Sequence, residues 1–257
     1  MLQKFIAPFE KIGKRNEIII IVGWLLLVVF TWIFLSRGDK HLFPSPSQVL
    51  VGMKDLINEG LFSHIFSSLG LCLKATFYAL ICSLIVAYLS PIPLIKPIAL
   101  FLSKLRYLPL TGLTFYASMV IRDARSMQVW ILVVFMSLYF ITSLLSVIND
   151  IEQEEFDHAK TLGCSRWLIV YEVIIKGRLD YVIDVLRQNL AIIWMMLVSV
   201  ESILVASGGL GVLIKNSDKF MNHGRIVALQ IVILVIGLLL DWFLNQQRKM
   251  FFRYSKF

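Results

Sequence analysis

The stretch "QVWILVVFMSLYFITSLLSVI" (128–148) decides the fold, because it runs its whole length without a charged side chain. A helix needs about 20 mainly apolar residues to cross about 30 Å of hydrocarbon, and this run is long enough. Upstream, "EIIIIVGWLLLVVFTWIFL" (17–35) carries one charge, Glu17, at its edge. The 257 residues are 58% hydrophobic and 16% charged, with a mean hydropathy of +0.78. Soluble domains are closer to half apolar and a quarter charged. The expected fold is an all-α membrane protein with about six transmembrane helices.

Working outward, apolar runs place spans at about 17–35, 65–89, 97–121, 128–148, 181–206 and 225–244. The third is the weakest, since it holds Lys104, Arg106 and Pro109. An even number of spans leaves both termini on one side. Lys4, Lys11, Lys14 and Arg15 precede the first span, and Arg248, Lys249, Arg253 and Lys256 follow the last. Basic flanks mark the cytoplasmic side. The expected layout is a cytoplasmic tail (1–16), a transmembrane domain (17–244) and a basic cytoplasmic tail (245–257), in a multi-pass membrane protein. Segments 36–64 and 207–224 then face outward, and 149–180 faces the cytoplasm. The link "RDARSM" (122–127) runs against the charge rule, because it puts Arg122 and Arg125 outside. Trp32, Trp130 and Trp242 fall near span ends, as interfacial anchors do.

The net charge of +8 and pI near 9.4 are accounted for by these flanks, so no nucleic-acid partner is expected. Cys72, Cys82 and Cys164 are scattered, as are His41, His64, His158 and His223. Neither set has the spacing of a disulfide framework or a metal site. The first apolar run is too long for a signal-peptide core and reads as an uncleaved span. No G-x-x-x-x-G-K-[ST] phosphate loop occurs, so no ATP hydrolysis, other catalysis or cofactor is assigned to this chain.

One passage resists the membrane reading. "EEFDHAKTLGCSRWLIVYEVIIK" (154–176) is charged, and is too long for a tight turn between two apolar runs. On a helix, Trp167, Leu168, Tyr171, Ile174 and Ile175 form one apolar stripe, with Ser165 as the N-cap. Upstream, "DIEQEEFDHAKTL" reads as an acidic helix with Phe156, Ala159 and Leu162 on one side. Gly163 separates the two, either for a left-handed turn or for close approach of another chain. Two short amphipathic helices at the cytoplasmic surface serve equally as a solvated loop or as a docking surface.

The same residues carry a resemblance. "DHAKTLGCSRWLIVYEVIIK" resembles the EAA motif of binding-protein-dependent ABC importer permeases, with Asp157, His158 and Ala159 at its E-A-A and Gly163 on its glycine. Val173, Ile174 and Ile175 occupy its apolar end, and Lys176 stands where proline is usual. "VLRQNLAIIWMMLVSVESILVASGGLGVLI" is similar to the nitrate/sulfonate/taurine branch, through Arg187, Trp194, Glu201, Gly209, Leu210 and Gly211. "PSPSQVL" (44–50), Arg106 and Pro109 extend the likeness over about 44–250.

The resemblance implies a type I importer permease of a bacterial inner membrane, whose segment 149–180 forms the coupling helices. Asp157, His158, Ala159, Leu162, Gly163 and Ile174 would then meet the ATPase. It implies two ABC ATPase subunits, a second permease chain (a homodimer in preference to a heterodimer), an external solute-binding protein and the lipid bilayer as partners. The cargo would be a small solute of the nitrate/sulfonate/taurine kind or another small organic ion.

Glu201, Gly209 and Gly211 are the candidate pathway or gate residues. A charge deep in a span costs on the order of 2.5–3.5 kcal/mol, so Glu201 is either a pathway residue, a hydrogen-bond anchor or a neutral structural glutamate. Arg187 and Asp184 read as an ion pair three residues apart. Lys74 and Lys104 read as snorkelling side chains, with contact to an anionic cargo as the alternative. Three rivals follow: a membrane enzyme, an ion-coupled secondary carrier, and a divergent assembly subunit that does not transport. The first lacks a recognisable constellation. The second lacks repeats and leaves 154–176 unexplained.

Overall fold

A computed structural model describes residues 13–36 and 44–251; the expected tails lie largely outside these. The elements are α1 (Lys14–Leu35), α2 (Pro46–Asn58), α3 (Leu61–Leu89), α4 (Lys96–Lys104), a 3-10 turn (Leu105–Tyr107), α5 (Leu110–Val120) and α6 (Ala124–Asn149). They continue with α7 (Gln153–Thr161), α8 (Arg166–Ile169) running into a π-helical turn (Val170–Lys176), α9 (Leu179–Ile203), α10 (Leu210–Lys219) and α11 (His223–Phe251). By length and composition five of them (α1, α3, α6, α9 and α11) can cross a membrane.

The bundle is built on α3 against α6. One face of α3 is a column of small residues, Ser68, Cys72, Ala75, Ala79, Ser83 and Ala87, all buried. Small side chains let two helix backbones approach closely, which is how membrane helices gain packing energy without a hydrophobic drive. From α6, Ile131, Leu132, Phe135, Met136 and Phe140 fill the space so created.

Matched contacts fix the directions. The Arg125 side chain meets Ser67, Met136 meets Thr76 and Ser137 meets Ala79, so α3 and α6 run parallel in a constant register. The chain between them must therefore return across the same thickness. It does so in pieces, where one helix is expected at 97–121. Leu108 precedes Pro109 and is extended (φ −68°, ψ 136°), because the proline ring excludes the helical region for its predecessor. Thr142 of α6 bonds Ser103 of α4, while α5 lies against Trp130 and Val134, so α4 and α5 each cover one half of the crossing.

Helix α9 runs antiparallel to α6, with Asn189 on Ser143 at one end and Gln128 on Leu204 at the other. It is clamped to α11 by Arg187 Nε donating to Asp241 (3.0 Å) and by Trp194 Nε1 donating to the Ile233 carbonyl (3.0 Å). Arg187, expected to pair within α9, thus also reaches across to Asp241 of α11. The segment expected as a loop at 36–64 contains α2, which starts at a capping box. The Ser45 hydroxyl accepts from Gln48 N–H, and the Gln48 side chain accepts from Ser45 N–H (2.9 Å). Gly52 of α2 and Gly224 of α11 cross closely, and a Cβ on Gly52 would lie 2.9 Å from the Arg225 nitrogen. Helix α1 stands off the bundle, tied through Trp32 Nε1 to the Pro44 carbonyl (3.1 Å), with its apolar side chains open.

Candidate functional site

The charged passage folds as two helices joined by a cap. Helix α7 ends in a Schellman motif: Gly163 N–H donates to Lys160 O (2.9 Å) and Cys164 N–H to Ala159 O (3.2 Å). Gly163 has φ +75°, and a Cβ there would meet nothing within 4 Å. The left-handed backbone therefore demands this glycine, rather than crowding within the chain. Ser165 then caps α8 by accepting from Leu168 N–H (3.4 Å).

The apolar stripe expected over 165–176 divides in two. Ile169 and Ile174 are buried in the bundle. Trp167 (66% exposed), Leu168, Tyr171 and, across the cap, Leu162 (76% exposed) turn outward. The π-helical turn is the reason. Its i→i+5 bonds, such as Gly177 N–H to Glu172 O (3.0 Å), rotate later residues relative to a regular helix. The outer rim is charged. Lys160 Nζ lies 2.7 Å from Asp157 Oδ1, and its hydrogen bond and charge hold the Asp157 carboxyl below the usual range. His158 is exposed and Ala159 half-buried. Arg178, at the start of α9, pairs with Glu155 of α7 and fastens the segment to the bundle.

At the opposite end of the bundle lies Glu201, 0% exposed. The Ser68 hydroxyl donates to both its oxygens (2.9 and 2.8 Å), and Gly211 N–H donates to Oε2 (3.0 Å). Ser68 Oγ in turn accepts from Leu210 N–H (2.8 Å). The carboxylate and hydroxyl therefore satisfy two of the free N–H groups at the start of α10, where the helix dipole also favours negative charge. Arg125 Nη1 sits 4.0 Å from Oε1, while its Nη2 donates to Ser67 O (2.8 Å). The apparent misplacement of a cation in "RDARSM" is resolved here, because Arg125 is a counter-charge inside the bundle. Gly209 (φ +131°) donates its N–H to His64 Nδ1 (3.1 Å). A Cβ on Gly209 would lie 2.5 Å from the Glu201 carboxyl, and one on Gly211 would lie 2.7 Å from Ser202 N.

Glu201, Gly209 and Gly211 are thus brought together, but as a sealed junction between α3, α6, α9 and α10. Of the roles open to Glu201, this geometry is that of the hydrogen-bond anchor. Its partners Ser68 and Arg125, with His64 on Gly209 and Gln128 between Arg125 and Leu204, were not among the candidates. Their one signal is that each is polar in the opening turns of an apolar helix. Among the described residues no three His, Cys, Asp or Glu side chains gather as a metal site.

With both sites in view, comparison with known proteins is informative. Residues 18–249 match the family model described as the binding-protein-dependent transport system inner membrane component. The chain is 25% identical over 238 residues to the taurine transport system permease protein TauC of Escherichia coli K12, covering 88% of this chain and 86% of that protein. It is 27% identical over 113 residues to a putative ABC transporter permease protein of Methanocaldococcus jannaschii, covering 43% of this chain and 42% of that one. The family match spans nearly all of the chain, and the helices it covers are those of an integral membrane bundle. The chain belongs to the family of inner-membrane permease components of binding-protein-dependent ABC transport systems.

Proposed function

We propose that this chain forms the translocation pathway of an ATP-driven importer for a small sulfonate of the taurine kind. Two permease chains would pair in the membrane, and two ATPase chains would bind the α7–α8 segment in the cytoplasm. A solute-binding protein would dock on the outer face formed by α2, α10 and the start of α11. Both termini are then cytoplasmic, and the Glu201 junction lies toward the outside.

The observation that carries the ATPase contact is the outward apolar cluster of Leu162, Trp167, Leu168 and Tyr171 around Gly163. Large apolar side chains left open on a polar segment mark a protein contact, and Trp and Tyr are frequent energetic centres of such contacts. The segment is rigid enough to transmit force. Its helices are capped at the joint, Ile169 and Ile174 are rooted in the core, and Arg178 ties α7 to α9. Closure of the ATPase pair would carry α7–α8 with it, and rigid movement of the attached spans would switch access from one side to the other. The likeness to a taurine permease over 88% of the chain supports the cargo class.

The test is reconstitution of the tagged permease with its ATPase and binding protein in proteoliposomes. ATP-dependent taurine uptake and co-purification of the ATPase are the expected results. A permease that purifies alone from cells expressing the ATPase would refute the coupling.

A further inference from the structure

A groove of about 730 Å³ runs between α3 and α6, and Lys74 stands in it. Lys74 stands one residue before the middle of the 29 in α3, so at 1.5 Å per residue each helix end is roughly 20 Å away. That is well beyond the reach of a lysine stem, which favours the anionic-cargo alternative over the snorkelling expected from the sequence. Among the described residues Lys74 has no hydrogen-bond or ion-pair partner. An ammonium at this depth is expensive in lipid and belongs in a wet cavity.

The rest of the lining fits an anion. Tyr78 lies one turn below Lys74 on α3, and Arg125, Ser126 and Ser137 line the facing side of α6. No acidic side chain lines the groove. The carboxylate beside Arg125, Glu201, has its oxygens taken by Ser68 and Gly211, so Lys74 is left as the uncompensated charge.

We infer that Lys74 receives the oxyanion group of the cargo midway through the membrane, with Arg125 supplying the positive field at the groove's outer end. This deepens the importer reading and rests on it.

The experiment uses the complete transporter in proteoliposomes, with Cys82 and Cys164 replaced by serine. Lys74→Arg should keep taurine uptake near wild type, while Lys74→Met should lose at least about tenfold, the scale of a charge-assisted hydrogen bond. Lys74→Cys should react with membrane-impermeant methanethiosulfonates and be protected by saturating taurine. The aminoethyl reagent, which restores a cation, should recover uptake; the sulfonatoethyl reagent should not.

Recovery by both reagents would overturn the proposal, because bulk rather than charge would then matter. Protection that follows the phosphatidylglycerol content of the vesicle instead of taurine would assign the site to lipid phosphate and overturn it too. If the wild-type complex does not carry taurine, the sulfonate reading fails by itself. The groove is then decided by labelling, and a Lys74→Cys side chain that stays unreactive from water refutes it.

Discussion

Replacing Glu201 separates an anchor from a gate. Glu201→Ala removes the acceptor for Gly211 N–H and for the Ser68 hydroxyl, and takes the counter-charge from Arg125, in a site that is 0% exposed. A buried donor left unpaired costs about 1–3 kcal/mol, and two donors lose their acceptor here, while Arg125, 32% exposed, keeps its bonds to Ser67. The expected loss is therefore about 2–6 kcal/mol. Glu201→Gln keeps the shape and one good acceptor, and loses mainly the attraction to Arg125, about 1–2 kcal/mol. For a chain of this size 1 kcal/mol moves Tm by about 2–4 °C. The alanine variant should therefore melt roughly 4–24 °C below wild type and the glutamine variant roughly 2–8 °C below.

The assay is thermal unfolding of the purified transporter in detergent, followed by the emission of its tryptophans, with uptake measured on the same preparations. Ser68→Ala should cost less in the Glu201→Ala background than in wild type, because the two share one network. A Glu201→Gln protein with unchanged Tm and abolished uptake would refute the anchor and restore a direct pathway role. An alanine variant that melts with wild type would refute the network itself.

Other positions give shorter tests. Gly163→Val puts a β-branched residue at φ +75°, so it should loosen the Schellman cap and uncouple ATPase activity from uptake while membrane insertion is kept; unchanged coupling would count against the joint. Gly52→Ala drives a methyl against the Arg225 backbone and should cost the roughly 1–3 kcal/mol of an overpacked contact, read as a lower Tm in the same melts. A cysteine at Lys160 should be labelled only from the cytoplasmic side in oriented vesicles, and labelling from outside would invert the topology. Lys160 holds Asp157 below the usual carboxylate range, so their pair persists above the ordinary carboxylate pKa and fades as pH falls through the depressed one. Binding of the ATPase should accordingly show no transition from Asp157 between pH 6 and 8, and Asp157→Asn should leave that profile unmoved.

The membrane fold was legible because a bilayer permits few solutions: long uncharged runs had to be helices, and five of them are. The crossing at 97–121 was harder, since the apolar run says membrane while Pro109 breaks the helix, and only the parallel pairing of α3 with α6 shows that the broken piece still has to cross. Helix α2 carried its own local sign in the Ser45–Gln48 capping box, hidden in a segment treated as loop. The Glu201 junction was not legible in the same way. Its depth in a span announced a role, but Ser68 lies 133 residues away, and no periodicity reports a contact of that separation.

Several of the residues that carry the family resemblance share a physical character. Ser45 caps α2, Gly163 ends α7, Arg187 and Trp194 clamp α9 to α11, and Glu201 with Gly211 secures the start of α10. All are joints between helices, where a backbone group must be satisfied or two axes must be held at one angle. None lines the groove between α3 and α6. On the proposed importer reading, helices that tilt as rigid bodies need such joints fixed, while the groove lining faces the cargo. That division explains why the architecture was legible in the sequence and the solute was not, and it directs the search for specificity to groove side chains such as Lys74.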